Sequence, residues 1–293
     1  MSNGDEATAE TTGGQFVTYA VREGVAWVML NRPQYGNAQN YRLLNELDGC
    51  FRRAIDDDAV GAIVLGGEGK HFSAGHDLGT PDKDTHLQRE RIDLWWDHTN
   101  KEGAERQYSL EQDVYLGLCR RWAAMPKPAI AMVQGACIAG GLMLAWVCDM
   151  IVASDDAFFQ DPVVRMAQPG VEYFAHAFEL PPRIAREFLY LGQRMSADRA
   201  YQYGMVNRVV PRADLQAEVA KIAAEIASKP RLGLALTKQA VNLVEDLRGK
   251  RTAMDGVFHM HHFAHAQNQL VSGSLVGGVS LKDMAAANKA EQK

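Results

Sequence analysis

The chain has little of what typifies secreted, membrane-spanning or nucleic-acid-binding proteins. Only four of its 293 residues are cysteines (Cys50, Cys119, Cys137 and Cys148), and their spacing shows no pairing pattern. We therefore expect free thiols in a reducing compartment and no disulfide framework. No apolar run approaches the roughly 18 residues that a membrane-spanning helix requires, and the formal net charge of −5 argues against a nucleic-acid-binding surface. These absences predict a cytoplasmic protein with no membrane span and no nucleic-acid partner.

What is present fits a globular α/β protein. Residues 1–14 are small and polar, and we expect them to form a disordered tail. Strand and helix patterns alternate through residues 15–195, which favours a layered α/β core, and residues 196–293 are predicted to form a helical C-terminal region. The predicted strands are 16–21, 25–30, 62–67, 130–133 and 150–153, and the predicted helices are 42–56, 109–125, 142–148, 182–191, 196–203, 215–228, 233–248 and 255–270.

A polar, charged segment at residues 79–108 interrupts this alternation. A segment of this length without periodicity is either a mobile cover over a site or a partly disordered loop, and the sequence leaves both interpretations open. It contains Trp95 and Trp96, which either pack against the fold or cover a bound ligand.

Two glycine-containing segments carry the most information about chemistry. Residues 128–141 have the pattern of a buried strand, a tight turn and a glycine pair that opens a helix, and residues 69–78 have the same character. The first N–H groups of a helix have no intrahelical partner, and glycine lets a ligand's oxygen approach the backbone closely. Together the two segments could each direct one N–H at the same carbonyl oxygen and so form an oxyanion hole.

Short motifs that point to one family are spread along nearly the whole chain. They are Leu30-Asn31-Arg32-Pro33 with Asn37-Ala38, the segment from Phe72 to Leu78, Met125-Pro126-Lys127-Pro128, Gly135, Gly140-Gly141, Cys148-Asp149, Pro169-Gly170, and the run from Ser196-Ala197 to Gly204-Met205-Val206. In this order they resemble the motifs of the crotonase (enoyl-CoA hydratase/isomerase) superfamily. The resemblance implies a crotonase-like spiral of β-β-α turns, a helical C-terminal region that packs on neighbouring subunits, and a homotrimer or homohexamer. It also implies an acyl-CoA thioester substrate, with coenzyme A as part of the substrate and no metal or redox cofactor.

By motif, the resemblance places the two oxyanion-hole donors on the backbone N–H groups of His76 and Gly140. Removing a proton alpha to a thioester puts negative charge on the thioester oxygen, and two preset donors stabilise that enolate. The side chain of His76 is expected to take no part, or to face solvent beside the coenzyme A. The substrate-binding residues implied are Ala74, Gly75, Asp77 and Leu78, along the path of the pantetheine and adenine, with Gly141, Met143 and Val163.

The chain departs from the family pattern at two catalytic positions. Hydratases of this family use two glutamates to hold and activate a water molecule, and these positions fall on Met143 and Val163. Neither side chain accepts a proton, so we expect an isomerase-like reaction or an atypical hydratase in place of standard hydration. The alternative is a catalytically weak acyl-CoA-binding or assembly subunit that keeps the oxyanion hole.

Glu172 and His176 are the first candidates for a replacement acid/base group. They are four residues apart and would share one face of a helix, where a carboxylate beside an imidazole tunes a general base toward neutral pH. Alternatively, Glu172 could have no catalytic role and simply lie at a helix N-terminus, where acidic residues are favoured. Asp161 is the second candidate for the acid/base group. Its alternative role is that of a turn residue. Asp77 and Asp149 match positions at which we expect a structural role.

The histidines near the C-terminus invite a metal interpretation. His261 and His265 are four residues apart on a predicted helix, and His262 and His265 are three apart, so paired ligation is possible. The next carboxylate in reach along the chain is Asp255, and no His-Glu-x-x-His pattern is present. We therefore expect surface or interface histidines and no metal.

Overall fold

The computed structural model describes residues 12–84, 91 and 96–277. Within these residues the strands are β1 (Thr12–Gly13), β2 (Val17–Arg22), β3 (Val25–Leu30), β4 (Ala62–Gly67), β5 (Ala129–Val133), β6 (Ala136–Ile138), β7 (Met150–Ser154), β8 (Phe158–Gln160), β9 (Met195–Ser196) and β10 (Arg208–Val210). They form a seven-stranded sheet in the order β1-β2-β3-β4-β5-β7-β10 and a three-stranded sheet in the order β6-β8-β9. The first three strands pair antiparallel, and the large sheet is parallel from β3 onward.

Helices pack on both faces of the large sheet. They are α1 (Tyr41–Asp56), α2 (Gly103–Glu111), α3 (Leu118–Ala123), α4 (Gly140–Trp146), α5 (His176–Glu179), α6 (Pro182–Leu191), α7 (Ala197–Gln202), α8 (Leu215–Ala227), α9 (Arg231–Leu247) and α10 (Lys250–Ser272). Among these helices, none combines the length and the apolarity needed to cross a bilayer. The predicted α/β class is confirmed, and each of the five predicted strands is present.

The large sheet divides the hydrophobic core in two, because successive residues of a strand face opposite sides. In β4, Ile63 and Leu65 belong to the larger cluster, which includes apolar residues of α1, α3 and α4. Val64, between them, packs in a smaller cluster with residues of α8 such as Val219 and Ile222. This alternation explains why both faces of a short, wholly apolar strand are buried.

Two helices begin at residues whose side chains cap them. Asn40 accepts a hydrogen bond from the Leu43 N–H at 3.0 Å and begins α1, two residues before the predicted helix 42–56. Ser196, the first residue of the predicted helix 196–203, accepts one from the Arg199 N–H at 3.2 Å and begins α7. In contrast, α10 starts five residues before the predicted position, directly after Gly249, whose φ of +91° separates it from α9.

The predicted helix 109–125 is longer and less regular than expected. It begins at Gly103, inside the predicted insertion, and a π-helical turn over Gln112–Gly117 separates α2 from α3. A π turn holds one more residue than an α-helical turn, and the hydrophobic periodicity gives no sign of it. Every residue from 109 to 116 is buried, so this helix lies deep in the fold.

The described parts of the 79–108 segment pack against the fold. Asp84 is buried and accepts hydrogen bonds from the N–H groups of Tyr41 at 2.7 Å and Arg42 at 3.0 Å, at the start of α1. The Trp96 ring lies 5.3 Å from the Tyr108 ring. Residues 85–90 and 92–95, with Trp95, lie outside the described residues, as do residues 1–11 of the predicted tail. The choice between a mobile cover and a partly disordered loop for residues 79–108 therefore stays open.

Candidate active site

The segment of residues 72–78 is held in a fixed shape at the edge of the small sheet. Two isolated parallel bridges join Ser73 to Cys137 and His76 to Gln39. The Ser73 hydroxyl accepts from the Gln39 side-chain amide at 3.1 Å and from the Gly75 N–H at 3.3 Å, and donates to the Asn37 carbonyl at 3.0 Å. A buried serine with all these bonds stabilises the loop and is not available as a nucleophile.

Asp77 anchors the far end of this segment. Its carboxylate lies 3.0 Å from the Arg32 guanidinium, and neither side chain is exposed. It also accepts hydrogen bonds from the N–H and the hydroxyl of Thr80 at 2.9 and 2.5 Å. Burial alone would raise the pKa of Asp77, but these bonds and the arginine hold it below its usual value. Asp77 therefore orients the backbone, the role that the sequence suggested.

The two predicted oxyanion-hole residues come together in space. Gly75 has a φ of +92°, and a Cβ there would lie 3.1 Å from the Gly140 nitrogen. Ala139, directly before Gly140, has a φ of +48°, and its N–H donates to the Gln160 carbonyl at 2.9 Å. Within the described part of the chain, the N–H groups of His76 and Gly140 donate no hydrogen bond. Both donors are thus preset and unengaged, as an oxyanion hole requires.

The His76 side chain is half of a part-buried ion pair, with 15% of the side chain exposed. Its Nε2 lies 3.1 Å from Glu172 Oε2, although the two residues are 96 positions apart in the chain. The imidazole also stacks on Tyr115, with ring centroids 4.1 Å apart. Its Nδ1 is buried without a hydrogen-bond partner among the described residues, and a Cβ on Gly140 would lie 2.8 Å from it. This nitrogen therefore lies next to Gly140.

The electrostatics of the pair make the imidazole a stronger base. Burial would lower the pKa of His76, but the charge and hydrogen bond of Glu172 outweigh it, and the pKa is raised above the usual value. Burial would likewise raise the pKa of Glu172, but the opposing charge and hydrogen bond of His76 lower it. The result is an acid/base pair beside two free N–H donors.

The expectation that Glu172 and His176 share a helix face is wrong. Glu172 lies in a non-helical segment, and α5 begins only at His176. His176 instead pairs with Asp161, Nε2 to Oδ2 at 2.7 Å, and both side chains are wholly buried. The Val171 N–H donates to the same Asp161 oxygen at 3.3 Å. Asp161 and His176 therefore support the backbone next to Glu172.

The positions of the missing glutamates lie in the apolar interior. Met143 on α4 is 2% exposed and Val163 is 6% exposed, and both belong to the larger hydrophobic cluster. Gly141 also admits no side chain, because a Cβ there would lie 2.6 Å from the Ser73 carbonyl oxygen. In contrast, Ala74 and Leu78 are exposed, so the segment has both a buried face and a face open to a ligand.

The remaining structural predictions concern Asp149 and the cysteines. Asp149 accepts from the Ala129 N–H at 2.7 Å and from Lys238 Nζ at 2.9 Å, which ties α9 to the start of β5. All four cysteines are free. Burial raises the pKa of the Cys137 thiol well above its usual value, so this residue is a poor nucleophile.

Two of the C-terminal histidines are buried within the chain, so the expectation of surface histidines is wrong for these two. His261 and His265 are 4% and 7% exposed, whereas His259 lies at the surface. The carboxylate that faces them is Glu111 on α2, with His265 Nε2 to Oε1 at 3.5 Å. Asp255 instead pairs with Arg120 at 2.6 Å.

Sequence reasoning missed Gln39, Tyr115, Glu111 and the side chain of His76. Glu111 left one usable signal: it is a charged residue inside a stretch predicted as a helix next to apolar residues such as Leu110, and a buried charge needs partners. Gln39 and Tyr115 left none, because their roles depend on contacts with residues distant in the chain.

Comparison with known proteins agrees with this geometry. A family model described as enoyl-CoA hydratase/isomerase matches residues 20–275. The crystal structure of a probable enoyl-CoA hydratase from Mycobacterium thermoresistibile is similar, with 45% identity and a TM-score of 0.81 over 90% of this chain and 100% of that one. A putative enoyl-CoA hydratase of Mycobacterium tuberculosis is 38% identical over 275 residues, which cover 90% of this chain and 85% of that protein. A 1,2-epoxyphenylacetyl-CoA isomerase of Escherichia coli is 30% identical over 236 residues, covering 79% of this chain and 83% of that protein.

These similarities confirm both the family resemblance and the crotonase-like fold. The match spans both glycine-containing segments and the loop that carries Glu172. The chain therefore belongs to the enoyl-CoA hydratase/isomerase family of acyl-CoA enzymes.

Proposed function

We propose that this enzyme isomerises an acyl-CoA thioester through an enolate, with His76 and Glu172 as its acid/base pair. The observation that carries the proposal is the 3.1 Å contact between His76 Nε2 and Glu172 Oε2, directly beside the N–H groups of His76 and Gly140. No step of the proposed reaction draws on a redox group, and coenzyme A enters only as part of the substrate.

The proposed reaction has two proton transfers. A C–H bond alpha to the thioester breaks, its proton moves to the free Nδ1 of His76, and its electron pair moves into the thioester carbonyl. The two backbone N–H groups stabilise the negative oxygen that results, and each such donor is worth roughly 100- to 1000-fold in rate. Return of the proton to the gamma carbon of an unsaturated acyl chain shifts the double bond without any net change in protons.

In this proposal Glu172 fixes the orientation of the imidazole. A carboxylate that accepts the Nε2 proton leaves the lone pair of the neutral ring on Nδ1, and it stabilises the imidazolium that forms when Nδ1 takes up a proton. Standard hydration fits less well, because Met143 and Val163 offer no atom that could activate a water molecule.

The exposed face of the segment from Ala74 to Leu78 supports a path for the pantetheine and adenine. Asp77 points inward to Arg32, so it contributes by holding the backbone and not by touching the ligand. Gly75 and Gly141 contribute to the proposed substrate path because they have no side chain. Met143 and Val163 contribute apolar surface beside the acyl group.

We also propose that the chain assembles as a homotrimer or homohexamer through its C-terminal helices. On α9, Leu236 and Leu243 lie seven residues apart on one face and are 54% and 59% exposed, and Leu247 is 78% exposed. A helix with this much exposed apolar surface is typical of an interface.

The test is exchange of alpha protons in heavy water, read by mass spectrometry over a panel of saturated and unsaturated acyl-CoA esters. Uptake is expected for at least one ester and should fall about 100-fold or more in His76→Gln and Glu172→Gln. His259→Gln, which changes an exposed histidine, should exchange like the wild type. Unchanged uptake in both pair variants would reject the pair as the acid/base group. Acyl-CoA binding without uptake from any ester would favour a catalytically weak binding subunit.

A further inference from the structure

A second cluster of ionisable side chains lies behind Glu172. The carboxylate oxygen of Glu172 that does not face His76, Oε1, lies 3.6 Å from His261 Nε2. Beyond it, Glu111 faces three imidazoles: its oxygens lie 3.9 Å from His261 Nε2, 3.0 Å from His262 Nε2 and 3.5 Å from His265 Nε2. The proposed acid/base chemistry does not use the four residues of this cluster, which are Glu111, His261, His262 and His265.

The inward-facing atoms of this cluster lack hydrogen bonds. Nε2 of His261, His262 and His265 and Oε2 of Glu111 are all buried with no hydrogen-bond partner within the part of the chain that the structure describes. Buried polar atoms that converge without partners are costly to the folded state, so the arrangement favours a ligand between them.

A backbone carbonyl fixes the tautomer of one of the imidazoles. His261 Nδ1 lies 2.9 Å from the Gly170 carbonyl oxygen. A carbonyl oxygen only accepts, so this Nδ1 carries a proton, and the neutral ring presents the Nε2 lone pair to the cluster. His265 Nδ1 lies between the Leu275 carbonyl oxygen, at 2.8 Å, and the Gln168 side-chain amide nitrogen, at 2.9 Å. Metal-binding histidines are typically held in this way by a hydrogen bond from their other nitrogen.

The distances suit a small divalent ion. One ligand atom from each of Glu111, His261 and His265 can be chosen so that all lie within 4.8 Å of one another. Tetrahedral zinc with bonds of about 2.0–2.1 Å places its ligand atoms about 3.3–3.4 Å apart, close to the contacts of Glu111 with His265 and His261. Small movements of the side chains would complete the coordination.

The backbone at Glu111 is also unusual. Glu111 is the last residue of α2 and directly precedes the π-helical turn Gln112–Gly117. Single π turns inside helices are rare and frequently occur at functional sites.

We propose that Glu111, His261 and His265 bind a divalent transition-metal ion, with a water molecule as the fourth ligand. Zinc fits best, because mixed imidazole and carboxylate ligands in a tetrahedral arrangement are typical of it. The ion would join α2 to α10 and, through the hydrogen bond of His261 to Gly170, would hold the backbone two residues before Glu172. Its role would be structural support of the active-site loop, separate from the proposed reaction.

The experiment uses the full chain, stripped with a chelator, dialysed and titrated with zinc chloride, with bound zinc measured by mass spectrometry of the metal. One zinc per chain is expected, and a 100-fold excess over the dissociation constant should raise Tm by about 5 °C. Both effects should disappear in Glu111→Gln and in His265→Asn. His259→Asn, on the exposed side of the same helix, is the matched control and should keep both.

Cobalt(II) binding to the wild-type protein provides a readout that does not depend on whether the variants fold. Bound to the wild-type protein, it should give the strong visible absorption of a tetrahedral ion, and His265→Asn should lose that absorption while keeping the wild-type circular dichroism. Absence of stoichiometric zinc and cobalt from the wild type would overturn the proposal, as would equal binding by the wild type and both variants. The cluster would then be an ion-pair network in which protonated histidines neutralise Glu111.

Discussion

The imidazole of His76 lies directly against the Cα of Gly140. A Cβ added at Gly140 would fall 2.7 Å from His76 Cε1 and 2.8 Å from Nδ1, distances that side-chain carbons do not tolerate. The two residues to which the proposed function assigns the oxyanion-hole N–H groups are thus also in steric contact, so a side chain at position 140 would displace the His76 ring.

Gly140→Ala should therefore lower alpha-proton exchange by about 100-fold or more, because the added methyl displaces the His76 ring and shifts one N–H donor. The exchange assay in heavy water measures this, and circular dichroism checks the fold. Gly49→Ala is the matched control: a Cβ at Gly49 in α1 meets nothing within 4 Å, so that variant should keep its activity and gain up to about 1 kcal/mol of stability. Full activity in Gly140→Ala would contradict the placement of the donor.

Arg32→Met should strongly destabilise the protein. It leaves the Asp77 carboxylate buried without its cation, and removal of one partner of a buried ion pair costs about 3–5 kcal/mol. Urea denaturation measures the change. The surface pair of Arg231 with Asp58, at 2.7 Å with side chains 55% and 95% exposed, is the comparison. Arg231→Ala should change the free energy of unfolding by less than about 1 kcal/mol, and similar effects of the two substitutions would contradict the anchoring role of Asp77.

Glu179 should make stability fall as pH rises. Burial raises its pKa from 4.5 to about 7, against the opposing charge of Lys250, whose Nζ lies 3.7 Å away. Between these two pH values the folded state keeps a proton that the unfolded chain loses, so the free energy of unfolding decreases, by at most about 1.4 kcal/mol per pH unit.

Glu179→Gln stays neutral at every pH, so its stability relative to the wild type should rise from pH 5 to about pH 7 and level off above it. Urea denaturation at each pH, with both proteins measured side by side, tests this. Glu225→Gln, at an exposed pair with Lys229, should show a constant difference from the wild type. A constant difference for Glu179→Gln as well would show that its carboxyl ionises normally.

The double substitution Leu236→Glu and Leu243→Glu should separate the proposed assembly into monomers. Two carboxylates on the apolar face of α9 would have to be buried in the interface, where they lack partners. Light scattering after size-exclusion chromatography measures the mass. Gln216→Glu, on an exposed position of α8, should leave the mass unchanged, and an unchanged mass in the α9 variant would remove this face from the interface.

Much of the fold is predictable from local patterns in the sequence. The central strands, α1 and α7 follow from apolar periodicity and from the capping residues Asn40 and Ser196, which act within three or four positions of themselves. The π-helical turn and the start of α10 are not predictable in this way, because packing and one left-handed glycine decide them.

In the candidate site, too, features set by neighbouring residues can be predicted from the sequence, and features set by distant residues cannot. The assignment of the backbone donors to His76 and Gly140 rests on motif and stays a prediction, although the structure does bring these two residues together. The partner of Glu172 could not be predicted, because spacing of four suggested His176, whereas the chain brings in His76 from 96 positions away. Likewise, the carboxylate that faces His265 is Glu111 on another helix, and not Asp255 on the same one.

The π-helical turn limits how the chain can change in length. It carries Tyr115, which stacks on His76, and it directly follows Glu111, which faces the three histidines. Deleting one residue between them would remove the residue by which a π turn exceeds an α-helical turn, so α2 and α3 would keep their faces. The buried residues of the turn itself would move. The stacking of Tyr115 on His76 would therefore be the first contact to change, and the contact of Glu111 with the histidines would be kept.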